Sequence, residues 1–397
     1  EIAPSEQLAI RMVQARLFEA DGQTDRAIAV YQAVARAPLD KLATPAQLHA
    51  SRLLLAKGAI TPAQTIATLE PLRYRWRGDA TELAVIRTLG QVYLDQGRYR
   101  EALDALRGAG ARYPDLPESV ALNEQLQNAF RALFLDGQAD GLQPIQAVAL
   151  FLDFRDLTPV GADGDEMVRR LARRLVDVDL LDQAADMLKY QVENRLEGVA
   201  KASVATDLAR IYLMSRKPEQ ALQAIWGSRT TLLPNALNSE RRAIEARALS
   251  DLGRFDNALE VLGSDAGGQA DDVRGEIAWK QQRWADAAAL YERRLGDRWK
   301  NAVDPLSVED ESRLVRAGVG YSLAQDAGGL GRLSQRYGVF ADRARAPAAV
   351  RIALAGPDES SISVRDITRV AGQVDAFAGW VASQKQRFRQ RTDATRT

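Results

Sequence analysis

A hydrophobic pattern with a period of about 34 residues constrains this chain more than any other feature, because a pair of short helices cannot bury its own apolar faces and must stack on further copies of itself. The clearest copy lies at residues 82–115, where Leu89, Gly90, Tyr93, Gly97, Tyr99, Ala102, Leu106, Ala109 and Pro114 follow in order. Small Gly90 and Ala102 let two antiparallel helices approach closely, and Tyr93, Tyr99 and Leu106 fill the space between them. Gly97 is placed to end the first helix and Pro114 to stop the second.

Weaker copies recur along the chain. Ala15, Phe18, Gly22, Ala27, Tyr31, Val34 and Pro38 form one, and Ala209, Tyr212, Pro218, Ala221, Ile225 and Ser228 another. Leu249, Gly253, Phe255, Ala258 and Leu262 give a third; Gly275, Trp284, Ala287 and Tyr291 a fourth; Ala172, Leu175, Ala184 and Leu188 a fifth. The clear unit with its copies resembles the tetratricopeptide repeat family, and the resemblance implies stacked helical hairpins, no cofactor and a protein-binding role.

Three stretches keep helical periodicity without the signature and are read as divergent hairpins: 45–76, 118–157 and 308–355. In the last, Gly328, Gly329 and Gly331 predict a shortened second helix. Beyond Pro357, residues 364–391 read as one long helix with Val364, Ile367, Val370, Ala371, Val374, Phe377, Ala378 and Val381 on a single stripe, as a capping helix requires. No period-two pattern marks a strand. The predicted fold is therefore all-α: a right-handed superhelical solenoid of hairpins with divergent members and a C-terminal cap. The expected blocks are 1–157, 158–300 and 301–397, with a joint at 158–165.

Composition narrows the chemistry. The 397 residues carry 53 Lys plus Arg against 53 Asp plus Glu, which removes the global positive field that non-specific nucleic-acid binding needs. With no cysteine and a single histidine, His49, thiolate metal sites, a cysteine nucleophile and multi-histidine metal sites are excluded by inventory. The Gly-rich runs at 264–272 and 326–333 lack the Gly-Lys-Ser/Thr ending of a phosphate loop. Carboxylates abound, yet no nucleophile, base and orienting group can be named together, so an enzyme is not expected. His49 is read as a surface or half-buried imidazole. No stretch approaches the roughly 20 apolar residues of a membrane span. The chain opens on Glu1, not Met, which carries the expectation of processing or of excision from something longer, such as a larger membrane-anchored machine or enzyme. The excess of 45 Arg over 8 Lys fits a GC-rich bacterial source in cytoplasm or periplasm.

In tetratricopeptide proteins the first helix of each hairpin lines the binding groove, chiefly at repeat positions 2, 5, 6, 9, 12 and 13. By that resemblance, position 9 is filled by Arg16, Gln91, Arg173, Arg210, Arg247 and Glu276, and position 5 adds Arg87 and Arg169. Arginine forks bind carboxylates bidentately, so this column predicts a protein or peptide partner of acidic character. As exposed side chains, Arg173, Arg210 and Arg247 could be replaced together by Ala with stability kept within about 1 kcal/mol and partner capture weakened. Arg87 and Gln91 match the family's carboxylate clamp only loosely. Two basic features complete the reading: Arg73, Tyr74, Arg75, Trp76 and Arg77, taken as a helix end with an aromatic packed inward, and a tail with Lys385, Arg387, Arg389, Arg391 and Arg396, the one segment in hand suited to membrane contact.

Overall fold

The computed structural model describes residues 3–38, 40–75, 79–112, 116–355, 369 and 376–393, and every regular element among them is a helix. They form two compact units, Glu1–Met167 and Val168–Thr397. The N-terminal unit holds α1 (Pro4–Ala20), α2 (Thr24–Ala35), α3 (Asp40–Ala56), α4 (Pro62–Leu69), α5 (Leu72–Arg75), α6 (Ala80–Asp95), α7 (Tyr99–Arg112), α8 (Pro117–Phe134) and α9 (Pro144–Asp153). Helix α10 (Ala162–Asp177) spans the division. The C-terminal unit continues with α11 (Leu181–Asn194), α12 (Gly198–Met214), α13 (Pro218–Trp226), α14 (Asn235–Asp251), α15 (Phe255–Leu262), α16 (Gly268–Lys280), α17 (Trp284–Leu295), α18 (Val308–Leu323), α19 (Ala327–Tyr337), α20 (Pro347–Ala355) and α21 (Ala376–Asp393). This is the all-α helical repeat fold that the periodicity predicts.

One backbone device builds the hairpins. After the first helix a residue with positive φ turns the chain, and the next amide donates to the carbonyl five residues back, the Schellman closure of a helix end. The turn recurs as Gln23 to Phe18 (2.8 Å), Arg98 to Tyr93 (2.9 Å), Leu180 to Leu175 (2.9 Å), Lys217 to Tyr212 (2.8 Å), Arg254 to Leu249 (2.8 Å), Arg283 to Ala278 (2.8 Å) and Asp326 to Tyr321 (2.9 Å). Glycine supplies the positive φ at Gly22, Gly97 and Gly253, whereas Asp179, Arg216, Gln282 and Gln325 adopt it with a side chain present. The second set bears a steric cost that glycine avoids.

Close helix approach does the rest. A Cβ on Gly90 would meet Leu106 Cδ2 at 2.7 Å, so only glycine admits that leucine between α6 and α7. The three glycines at 328–331 do not shorten the second helix: α19 runs 11 residues, against 8 for α15. Asp326 caps it by accepting from the Gly329 amide at 2.8 Å, and the missing Cβ of Gly329 makes room for the Tyr321 ring. In the divergent stretch 118–157 a cluster of Phe130, Phe134 and Phe151, with ring centroids 4.8–5.5 Å apart, replaces the small-residue packing.

The C-terminal unit also contains a buried guanidinium with only neutral acceptors. Arg241 on α14 donates to the carbonyls of Ala202 (2.6 Å), Ile225 (2.7 Å) and Ser228 (3.3 Å) and to the hydroxyls of Thr206 (3.1 Å) and Ser228 (3.0 Å). It thereby ties α12 and the end of α13 to α14. Of Tyr74 and Trp76, either of which was expected to pack inward, Tyr74 stands 60% exposed beneath Arg73, whose Cζ lies 5.2 Å from its ring. Pro114, Trp76, Arg77 and Pro357 lie outside the described residues, as do Val364, Ile367, Val370, Ala371, Val374 and Arg396.

Candidate functional site

In the N-terminal unit, α3, α6 and α8 supply the walls of an open groove of about 1050 Å³. Arg52 comes from α3, Arg87 and Gln91 from α6, and Gln125 and Asn128 from α8, with Leu55, Ala84 and Ala129 between them. Arg87 and Gln91 sit one helical turn apart on α6, both exposed. The Gln91 amide donates to Asp95 at 2.8 Å, and Gln125 donates to the Arg87 carbonyl at 3.2 Å, tying α8 to α6. These two predicted site residues are brought together on one accessible wall.

Arg16 lies elsewhere in the same unit, exposed on α1. Near it the Tyr31 hydroxyl donates to Glu19 Oε2 at 2.6 Å, His49 Nδ1 lies 3.1 Å from the same oxygen, and the two rings stack with centroids 5.0 Å apart. Burial lowers the His49 pKa from its ordinary 6.5 against the opposing pull of Glu19, while Arg52 and Arg16 add to the lowering. Burial and the Glu19 carboxylate hold the Tyr31 hydroxyl well above its usual range. The trio joins α1, α2 and α3 by polar bonds inside an apolar layer of Met12, Ala15, Val34 and Ala46.

The predicted arginines of the C-terminal unit are placed differently. Arg210 on α12 is 1% exposed, and Arg247 on α14 is 5% exposed. Arg210 donates to Asp207 at 2.8 Å and to Glu240, and Arg247 to Glu276 at 2.5 Å. The Arg210–Asp207 pair lies within α12, while Arg210–Glu240 and Arg247–Glu276 each join one first helix to the next, so two position-9 residues, Arg247 and Glu276, are partners of each other. The expectation that these are exposed and energetically dispensable is overturned, since breaking a buried pair strands a charge. Arg169 and Arg173 on α10 are half-buried. On α18, Arg313 bonds Asp272 (3.0 Å), Glu309 (2.8 Å) and Asp310 (2.7 Å), and burial raises the Glu309 pKa despite Arg313.

The reason for this burial is α21. Trp380, Gln384 and Phe388, spaced four residues apart on one stripe, are all buried. Arg247 lies under the Trp380 ring with its Cζ 4.3 Å from the centroid, Arg210 faces Phe388 at 5.9 Å, and Arg216 covers Phe377 at 3.2 Å. Lys385 pairs with Asp179, and Arg389 Nε donates to Asp177 at 2.7 Å. With its amide turned to face it, Gln269 on α16 accepts from Arg387 at 2.5 Å. Gly379 passes α18 with its Cβ position 3.7 Å from Glu309 Cα. The helix thus touches α10, α12, α14, α16 and α18, and its basic side chains reach acids of its own unit. A cavity of only about 20 Å³ remains between α21 and the wall of Ala243, Ile244, Arg247 and Val273. The buried stripe is not the predicted one: of the predicted members that are described, Ala378 is exposed and Phe377 and Val381 are half-buried, whereas Trp380, Gln384 and Phe388 lie outside that prediction.

Among the described residues no group of acidic or histidine side chains could hold a metal ion. Repeated hairpins with a shared turn, stacked so that first helices adjoin, define a helical-repeat protein of the kind whose stacked surfaces bind other proteins. The tetratricopeptide repeat family model matches residues 88–116, which cover the end of α6, the Gly97 turn and α7. Residues 88–116 are thus similar to one tetratricopeptide repeat, set within an all-α helical repeat fold. No curated protein matches it. Among solved structures it is similar to the P58(IPK) TPR domain, at 14% identity over 93% of this chain and 99% of that one, with a TM-score of 0.27. It is also similar to apo NprR, a quorum sensor from B. thuringiensis, at 13% identity over 89% and 99%, with a TM-score of 0.27. A third is a Rap protein complexed with Competence and Sporulation Factor, at 14% over 96% and 100%, with a TM-score of 0.25. Scores this low add nothing to the fold argument, which stands on the repeat match and the hairpins.

Proposed function

We propose that this chain is a non-catalytic interaction scaffold whose N-terminal unit holds a segment of another protein along the groove of α3, α6 and α8. The observation that carries the reading is the groove itself: about 1050 Å³, lined by two cations, Arg52 and Arg87, and by the amides of Gln91, Gln125, Asn128 and Gln138. Primary amides offer both donors and acceptors to a peptide backbone, and a guanidinium fork fits a carboxylate. An extended segment with an acidic side chain or a free C-terminus suits that lining, its acid opposite Arg52 and Arg87 and away from Asp95 and Glu124 on the same walls. Arg16, on a different part of the unit, has no share in it.

A random peptide library selected on the intact chain tests the proposal, with each selected peptide re-measured on the Arg52→Glu/Arg87→Glu variant. Both side chains are exposed, so the variant keeps its fold, as its helical circular dichroism will report. Acid-bearing peptides whose affinity falls at least tenfold on the variant are expected; peptides that bind both proteins equally would overturn it.

A further inference from the structure

The C-terminal unit already shows what its own row of first helices can hold, because α21 lies on it. The contents of that site define its chemistry. Two aromatic side chains eight residues apart, Trp380 and Phe388, rest on arginines that are themselves neutralised by Glu276 and by Asp207 and Glu240. Those arginines therefore act as flat cationic platforms for rings, not as free sites for acids. The valence left open is negative and lies at one end, where Asp177 and Asp179 take Arg389 and Lys385; Glu309 and Asp272 are already paired with Arg313 and Arg294. Between α21 and the wall of Ala243, Ile244, Arg247 and Val273 only about 20 Å³ is left, so no further side chain fits there beside Trp380 and Gln384.

We infer that the face formed by α10, α12, α14, α16 and α18 is a helix-binding site whose partner is a basic amphipathic helix of another protein, with aromatic anchors spaced as in α21, and that α21 is its built-in competitor. Charge complementarity fixes the class: an acidic segment would meet Asp177 and Asp179, whereas a basic one with aromatic anchors reproduces the ion pairs and ring contacts α21 makes. The contact is also suited to exchange. Its buried side chains on α21 are Trp380, Gln384 and Phe388, while Lys385 and Arg389 bond at the exposed rim. A covalently attached occupant competes at an effective concentration of order millimolar, so a free helix binding at about 10 μM would be weakened about 100-fold in the intact chain. The inference concerns a different unit from the open groove of α3, α6 and α8 and stands or falls without it.

A fluorescent peptide of residues 376–393, followed by anisotropy on the full-length chain, tests it. The wild type is expected to bind the peptide at least tenfold more weakly than either of two released variants, Trp380→Ala/Phe388→Ala and Lys385→Glu/Arg389→Glu. The second alters rim contacts alone and covers the case in which the first fails to fold. Adding Asp177→Lys/Asp179→Lys to the Trp380→Ala/Phe388→Ala variant should abolish capture of the native peptide and restore it for a peptide carrying Lys385→Glu and Arg389→Glu. Equal binding to wild type and released variants, or no binding by a released variant that remains helical, would overturn the site. Dimerisation of the wild type on concentration, lost in Trp380→Ala/Phe388→Ala, would assign the site to α21 of a second copy and overturn the assignment to a different protein.

Discussion

Arg87 and Arg210 both project from the first helix of a hairpin, yet one stands exposed in an open groove while the other is buried between two carboxylates and under a phenyl ring. The N-terminal unit leaves the row of first helices α3, α6 and α8 uncovered; the C-terminal unit lays α21 over α10 to α18. What separates the two arginines is therefore not their place in the repeat but what lies on top of them. Once covered, a guanidinium must be paired, and for both Arg210 and Arg247 a carboxylate of the next hairpin, Glu240 or Glu276, does so, so a would-be ligand contact becomes an inter-repeat tie.

The sharpest way to break the comparison is to remove one arginine from each unit. Arg241→Met removes five hydrogen bonds that tie α12 and the end of α13 to α14 and should cost about 3 kcal/mol, whereas Arg87→Met should cost under about 0.5 kcal/mol. Urea unfolding of the two variants checks this, and similar losses would mean that the two surfaces are not distinct. Next in size, Trp380→Ala should cost about 3 kcal/mol through the cavity it opens over Arg247, read in the same experiment.

How much of this was legible in the sequence depends on which contacts a repeat template can see. Positions that face their own hairpin, such as Gly90 against Leu106, were readable because one small residue and one large one must occur at a fixed spacing. The turns were half readable. Gly22, Gly97 and Gly253 announce the left-handed residue, but Asp179, Arg216, Gln282 and Gln325 take the same conformation unannounced, which is why their hairpins looked degenerate. The candidate site divided in the same way. Arg87 and Gln91 stay exposed as the repeat position implies because no described element covers them, while the burial of Arg210 and Arg247 depends on α21, a segment 129 or more residues further along the chain that carries no repeat signature. The network of Arg241 left no signal, since an arginine that bonds only to carbonyls and hydroxyls has no charged partner to reveal it.

Smaller effects sharpen the account. Replacing Gln282 or Gln325 with Gly relieves the positive φ and should stabilise the C-terminal unit by about 1 kcal/mol, whereas Gly97→Ala should destabilise the N-terminal unit by about as much. Thermal unfolding of the three variants checks both signs. The smallest effect is titration. His49 is the chain's only imidazole, and its lowered pKa means that the unfolded chain takes up a proton at a higher pH than the folded one. Its contribution to stability is present above the ordinary histidine value of 6.5 and is lost as pH falls through the lower folded value. An NMR titration should place the His49 midpoint below 6.5, and His49→Asn should flatten the acid side of the stability profile.

The most direct test of the covered face is hydroxyl-radical footprinting of the intact chain, read at two tryptophans of the same unit. Trp380 is 7% exposed beneath α21's contacts and Trp226 is 41% exposed at the end of α13. If α21 lies on the first helices, Trp380 should be oxidised several-fold more slowly than Trp226, and Phe388 should be protected with it. Oxidation of Trp380 at the rate of Trp226 would contradict the account, because the face over Arg210 and Arg247 would then be as open as the groove of α3, α6 and α8.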